Sequence, residues 1–139
     1  MAPFFSFLEH PSDIGILAQG STREEAVVAA SQGLVAILVN PEPFHDIDER
    51  EIRSHGADEA AQIVNWLNEI VFYFDTESLV FTEFVIDSWM PDGIIGRARG
   101  ERFDPDRHEF RTSVKAATYH QFESKRVAAG WEIRVFVDV

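Results

Sequence analysis

Between residues 63 and 74 the apolar positions fall at Ile63, Trp66, Leu67, Ile70, Val71 and Phe74, the spacing of one helix face. Val64 and Phe72 widen the stripe, so this helix is expected to face water along little of its surface and to form the centre of the core. Asp58 is placed to cap its start, and Asp75-Thr76 breaks the pattern before Leu79-Val80-Phe81. Burying one such large side chain stabilises a fold by roughly 1.5–3 kcal/mol. A second helix is announced by Ser21-Thr22-Arg23-Glu24, a capping box in which Ser21 and Glu24 satisfy each other's backbone N–H groups. Its inner face carries Ala26, Ala29, Ala30, Gly33, Leu34, Ile37 and Leu38, small enough near the start for close approach to a neighbour. Asn40-Pro41-Glu42-Pro43 stops it.

The remaining pattern has period two. Residues 3–10 set Phe5, Phe7 and His10 against Phe4, Ser6 and Leu8, a first strand, and residues 14–20 form a second. Glu9-His10-Pro11-Ser12-Asp13 breaks the two, with Pro11 unable to donate to a ladder, which puts Asp13 at a sheet end. Residues 44–55 read as a loop and an edge strand. Further strands are expected at 79–89, 94–103, 113–124 and 131–138, joined by turns at Pro91-Asp92-Gly93 and Ala128-Ala129-Gly130. In the penultimate strand Val114, Ala116, Thr118, His120 and Phe122 should share one face, and in the last Trp131, Ile133, Val135 and Val137 should do so. Strands and helices do not strictly alternate. The expected class is therefore α+β, a single domain over residues 1–139 with a mixed sheet of about six strands packed against two helices.

Composition narrows the function. With 139 residues, 45% hydrophobic, and no cysteine, the chain can bury one core and has no disulfide, thiolate ligand or cysteine nucleophile. No run approaches the roughly 18 apolar residues of a membrane span. The first ten residues lack the basic region of a signal peptide, so a cytoplasmic location is expected. Twelve basic residues stand against 24 acidic ones, a net charge of −12, and no three basic residues are consecutive. Direct nucleic-acid binding, which needs phosphate neutralisation, is not expected. An acidic surface suits a basic partner or a cation, or serves solubility alone.

No Ser-His-Asp set, phosphate-binding glycine loop or paired-histidine zinc motif occurs, and the five histidines are scattered. Carboxylates are the better candidates. Asp13 lies in the strand corner, and Asp138 precedes the terminal carboxylate of Val139. If the last strand is anchored in the sheet, Asp138 and that carboxylate form a pair that repels unless protonated or bridged by a cation. An oxygen-only set suits Ca²⁺, Mg²⁺ or Mn²⁺. The alternative is a solvated, frayed terminus. Gly100–His108 reads as a turn with surface ion pairs. Lys115 pairs with a carboxylate, serves a partner, or simply faces water.

Four stretches together resemble the archease family: Glu9-His10-Pro11-Ser12-Asp13-Ile14-Gly15; Asn65-Trp66-Leu67-Asn68-Glu69 with Phe74-Asp75-Thr76-Glu77; Val114-Lys115-Ala116-Ala117-Thr118-Tyr119-His120; and Trp131 to Asp138. The resemblance runs in order from residue 7 to residue 139. It implies a protein that is not an enzyme but a partner of an RtcB-type GTP-dependent RNA ligase. Such a partner promotes guanylylation of the ligase's active-site histidine and its repeated turnover in tRNA splicing and RNA repair. It also implies a divalent cation, Ca²⁺ first with Mg²⁺ or Mn²⁺ as alternatives, held by Asp13, Asp138 and the Val139 carboxylate. Lys115 is implied as a functional position, and Glu9 and His120 fall in the matching motifs. The corner departs from the common Asp-His-Thr-Ala-Asp by its Glu9 and Pro11, and Asn65 stands where Asp is common. Two other readings are a metal-dependent phosphoester hydrolase using Asp13, Asp138 and His120, and a chaperone or modulator of other RNA-processing enzymes.

Overall fold

The structure, a computed structural model, describes residues 3–9 and 12–139, with the backbone alone for Glu9. His10 on the first strand, Pro11 as its break and the side chain of Glu9 lie outside the described residues. Seven strands and two helices follow in the order β1 (Phe4–Glu9), β2 (Asp13–Gly20), α1 (Arg23–Leu38), β3 (Asp48–His55), α2 (Glu59–Glu77), β4 (Leu79–Met90), β5 (Gly93–Arg102), β6 (Ala116–Val127) and β7 (Gly130–Asp138). The α+β class and both helices agree with the sequence pattern. The strands, however, divide between a four-stranded sheet, β1-β2-β7-β6, and a three-stranded sheet, β3-β5-β4. Every pairing is antiparallel, where one mixed sheet was expected. Hairpins β1–β2, β4–β5 and β6–β7 account for three of these pairings, and short turns permit only antiparallel neighbours.

The capping box sits one residue later than the motif suggested. Thr22 Oγ1 accepts the Glu25 N–H at 3.1 Å, while Glu25 Oε2 accepts the N–H groups of Ser21 and Thr22 at 2.8 and 3.2 Å. Thr22 has the extended backbone of an N-cap, and the adjacent Thr and Glu make the two registers alike in sequence. Helix α1 packs on β2, β1 and β7 on one side and on β4 on the other. It buries ten residues to the seven of α2, so the core centres on α1 as much as on α2. The expected stripe of α2 is buried from Ile63 to Val71, but Phe72 is 56% exposed. There α2 faces outward between β3 and β6 with Asn65, Asn68 and Glu69, beside a groove of about 330 Å³.

Ile133, Val135 and Val137 are buried on the helix side of the large sheet, as their alternation requires. The expected alternation of β6 fails. The strand begins only at Ala116, and its register with β7 shifts between Thr118 and Glu123, where Gln121 takes a left-handed backbone at φ 53°. A bulge turns the following side chains, so Tyr119 and His120 are both exposed.

Candidate metal and partner site

The first long-range pairing of the chain brings its two ends together. Strand β2 lies beside β7 with Asp13 opposite Asp138, Ile14 opposite Val137 and Gly15 opposite Phe136. Side chains directly opposite on one face have Cβ atoms about 4.5–5.5 Å apart, so the two aspartate side chains leave the sheet side by side. Ile14 and Ile16 belong to the helix side, and Asp13 and Gly15 therefore belong to the other. On that face a Cβ at Gly15 would stand 2.8 Å from the Phe136 ring and 2.9 Å from Leu8 Cβ, so only glycine fits.

Asp138 is held from both sides. It pairs with Asp13 and with Ala116, and its carbonyl accepts the Lys115 N–H at 2.8 Å. The strand thus stays in the ladder to its last residue but one, which removes the frayed-terminus alternative for Asp138. Asp13 is buried at 8% exposure, while Asp138, Val139 and Lys115 are exposed. Sequence-selected Asp13, Lys115 and Asp138 therefore meet at one end of the large sheet, with Val139 next in chain. His120 joins the same sheet region through Phe136, its ring centroid 6.3 Å away, and its N–H donates to Thr118 Oγ1 at 3.2 Å.

Asp13 and Asp138 offer oxygen donors alone, the donor chemistry of Ca²⁺, Mg²⁺ and Mn²⁺. The residues fit such a cation in kind. Among the described residues no three His, Asp or Glu side chains gather as a cage.

The Gly100–His108 segment carries the expected turn, exposed at Pro105–Arg107 with Arg107 and Asp104 paired at 3.2 Å, but it is not surface throughout. Glu101 and His108 are buried at 4% and 6% exposure. Glu101 Oε1 accepts the His45 N–H at 3.0 Å and lies 3.0 Å from His108 Nε2, while Oε2 accepts from Arg107 Nη2 at 2.7 Å. The Asp104 N–H donates to His108 Nδ1 at 2.8 Å, which assigns the ring proton to Nε2 and the donor role toward Glu101. Phe44 stacks on this imidazole with centroids 3.7 Å apart. Burial pushes the Glu101 carboxyl up, but bonds from Arg107, the His45 N–H and His108 outweigh it and hold the group below its ordinary range. With both ring nitrogens engaged, His108 offers no lone pair for base catalysis. The cluster ties the loop after β5 to the loop after α1.

Two further polar contacts were illegible in the sequence. Asn68 Oδ1 accepts the Ala117 N–H at 2.7 Å and its Nδ2 donates to the Ala117 carbonyl at 3.2 Å, so one side-chain amide extends the edge of β6 as a strand would. Asn65 Nδ2 donates to the His55 carbonyl on β3 at 2.6 Å. Helix α2 thereby bridges the edges of both sheets. Asparagines at the margin of an apolar stripe are the one sequence signal, and it does not say which strands they meet.

The fold and site define a two-helix, seven-strand α+β domain whose larger sheet ends on a carboxylate pair. The chain belongs to the archease family: the model of the Archease protein family (MTH1598/TM1083) matches residues 5–139. It is 32% identical to protein archease of Methanosarcina mazei over 97% of this chain and 95% of that one. It is 36% identical to protein archease of Pyrococcus furiosus, over 94% and 95%. The solution structure of Methanobacterium thermoautotrophicum protein 1598 superposes with a TM-score of 0.83 at 28% identity, covering 97% of this chain and 98% of that one. A Thermotoga maritima crystal structure, described as an archease and possible chaperone, shares the fold with a TM-score of 0.63 at 18% identity, covering 95% and 94%. Among the described residues no helix is long and apolar enough to cross a membrane.

Proposed function

We propose that this protein is a non-enzymatic, cytoplasmic activator of an RtcB-type GTP-dependent RNA ligase in tRNA splicing and RNA repair. It promotes guanylylation of the ligase and its repeated turnover, and it holds a divalent cation, Ca²⁺ before Mg²⁺ or Mn²⁺, at Asp13, Asp138 and the Val139 carboxylate. The observation that carries this reading is the register of β2 against β7, which sets Asp13 opposite Asp138. Membership of the archease family supports the choice of partner.

The chain's own residues do three things in this reading. Asp13 and Asp138 concentrate negative charge at one sheet end, and the Lys115 N–H fixes the backbone of Asp138 so that its carboxylate keeps its aim. The net charge of −12 draws the domain toward the basic surface expected of an RNA-binding enzyme, chiefly by speeding encounter. When bound, the cation supplies charge neutralisation of the kind that phosphoryl transfer requires. The hydrolase reading rests on Asp13, Asp138 and His120, of which His120 is exposed with its ring centroid 6.3 Å from that of Phe136, and it predicts phosphoester turnover by the purified protein alone.

The test is multiple-turnover RNA ligation by a cognate ligase with GTP and Mn²⁺, with and without this protein, following guanylylated ligase in the same samples. Faster guanylylation and repeated turnover are expected, and Asp13→Ala or Asp138→Ala should abolish both while circular dichroism remains that of the parent. Normal activation by either variant would end the cation assignment. No activation at any ratio would end the ligase assignment.

A further inference from the structure

Among the described residues β1 is an outer strand with no neighbour on one side, and that edge is built differently from the other three strand edges. Edge strands β3, β4 and β6 carry charges such as Glu51 and Arg53, Glu83 and Asp87, and Lys125 and Arg126. Strands β4 and β6 are also interrupted by register shifts. Charges and bulges are the means by which sheet edges avoid pairing with other chains. In β1, whose last residue is Glu9, the stretch Phe4–Leu8 has neither charge nor proline, and the register with β2 is unbroken. Phe4, Phe7 and Leu8 are 48%, 45% and 36% exposed. Phe4 and Leu8 belong to the outer face of the sheet, and Phe7 with Phe5 to the helix side. Beside Phe5 opens a cleft of about 220 Å³ between α1 and β4, bounded by Val35, Ala36, Pro41 and Phe81, with no charged residue in its wall.

We propose that this edge pairs with the same edge of a second copy of the chain, antiparallel about a two-fold axis at Ser6, joining two four-stranded sheets into one of eight strands. The inference goes beyond the ligase reading and does not depend on it. A two-fold interface must be self-complementary, and Phe-Phe-Ser-Phe-Leu is so about its centre. Phe4 falls opposite Leu8 of the second copy, Phe5 opposite Phe7, and Ser6, exposed and small, opposite itself. Phe7 of each copy then lies beside Phe5 of the other, at the mouth of the uncharged cleft. Charge selects the same place: two molecules of net charge −12 approach most easily along a stripe that carries none. A phenylalanine buries about 150–250 Å², so covering half-exposed Phe4 and Phe7 with Leu8 and the strand edge removes roughly 400 Å² per copy. That total, on the order of 800 Å², falls below the roughly 1,200–2,000 Å² of stable specific interfaces and calls for a weak dimer that dissociates on dilution.

Sedimentation of the full chain from low micromolar to several hundred micromolar tests this. A monomer–dimer equilibrium is expected, with association strengthened by added salt as the mutual repulsion is screened. Ser6→Lys and Ser6→Glu should each be monomeric, and an equimolar mixture should regain the dimer because opposite charges then meet at the axis. Ser6→Cys introduces the only thiol of the chain, and mild oxidation should link two copies, since opposed residues have Cα atoms about 4.5–5.5 Å apart. Ser6 is exposed, and unchanged thermal melting of the variants at monomeric concentrations checks that they fold. A parent chain that stays monomeric throughout would overturn the proposal, as would a dimer that Ser6→Lys and Ser6→Glu leave intact. Pairing of β1 with a strand of another protein, without self-association, would overturn it as well.

Discussion

Glu101 is a carboxylate with almost no access to water, and three donors from three different positions keep it charged. Its pKa lies below the ordinary 4.5 because bonds from Arg107, the His45 N–H and His108 outweigh the burial that pushes it upward. A depressed carboxylate contributes stability that is fully present above its unfolded pKa and is lost as pH falls through the lower folded value. Glu101→Gln keeps the shape and removes the charge, which should cost about 1–3 kcal/mol near neutral pH. Below about pH 4.5 the parent should lose stability more steeply than the variant, so their denaturant midpoints converge. Parallel pH profiles would show that Glu101 contributes packing alone. The sequence showed a charged turn here and no more, since burial depends on Phe44 stacking over His108 from a loop distant in sequence. Asp13 and Asp138 differ: their strand patterns and family motifs marked them, and only pairing of the chain's two ends made them neighbours.

At the scale of elements, helix α2 does more than cover apolar surface. Asn68 satisfies both backbone groups of Ala117 at the edge of β6, where no further strand follows in the sheet. Asn68→Ala removes a donor and an acceptor at once and should cost about 1–3 kcal/mol. The Ala117 amide should then exchange with solvent faster than its neighbours in β6, which native-state hydrogen exchange reads directly. Exchange that is uniform along β6 would mean that water replaces the side chain without loss. The helix itself was legible through its apolar spacing and Asp58 cap, whose side chain accepts the Ala61 N–H at 2.8 Å. Its exposed Phe72 was not, because a periodic pattern records hydrophobicity without recording where the neighbouring sheet stops. The capping box of α1 slipped by one residue for a related reason: Ser21 and Thr22 are both competent caps, and the choice falls to how β2 delivers the chain into the helix.

For the whole molecule the governing quantity is charge. A chain of net charge −12 repels itself, and a cation held between Asp13 and Asp138 would relieve part of that repulsion. Ca²⁺ should therefore raise the melting temperature of the parent through binding to the folded state, by a free energy of about 2.7 kcal/mol at 100 times the dissociation constant. Asp13→Asn, which keeps size and hydrogen-bonding capacity, should melt at a temperature that Ca²⁺ does not change. A shift of equal size in both proteins would assign the effect to general screening by the added salt.

The sequence by itself determined the two helices, the hairpin turns, the buried face of β7 and the excess of acid, because each is written in local spacing or in composition. It also marked Asp13, Lys115 and Asp138 by motif. The tertiary structure alone decided that the strands form two antiparallel sheets, that α1 is enclosed between them, and that Glu101 and His108 are buried. It likewise decided that Asn68 closes the edge of β6. The physical reason is common to all of these. Strand partners, burial and hydrogen-bond satisfaction are set by groups far apart in the chain, and no local period records which distant group will arrive.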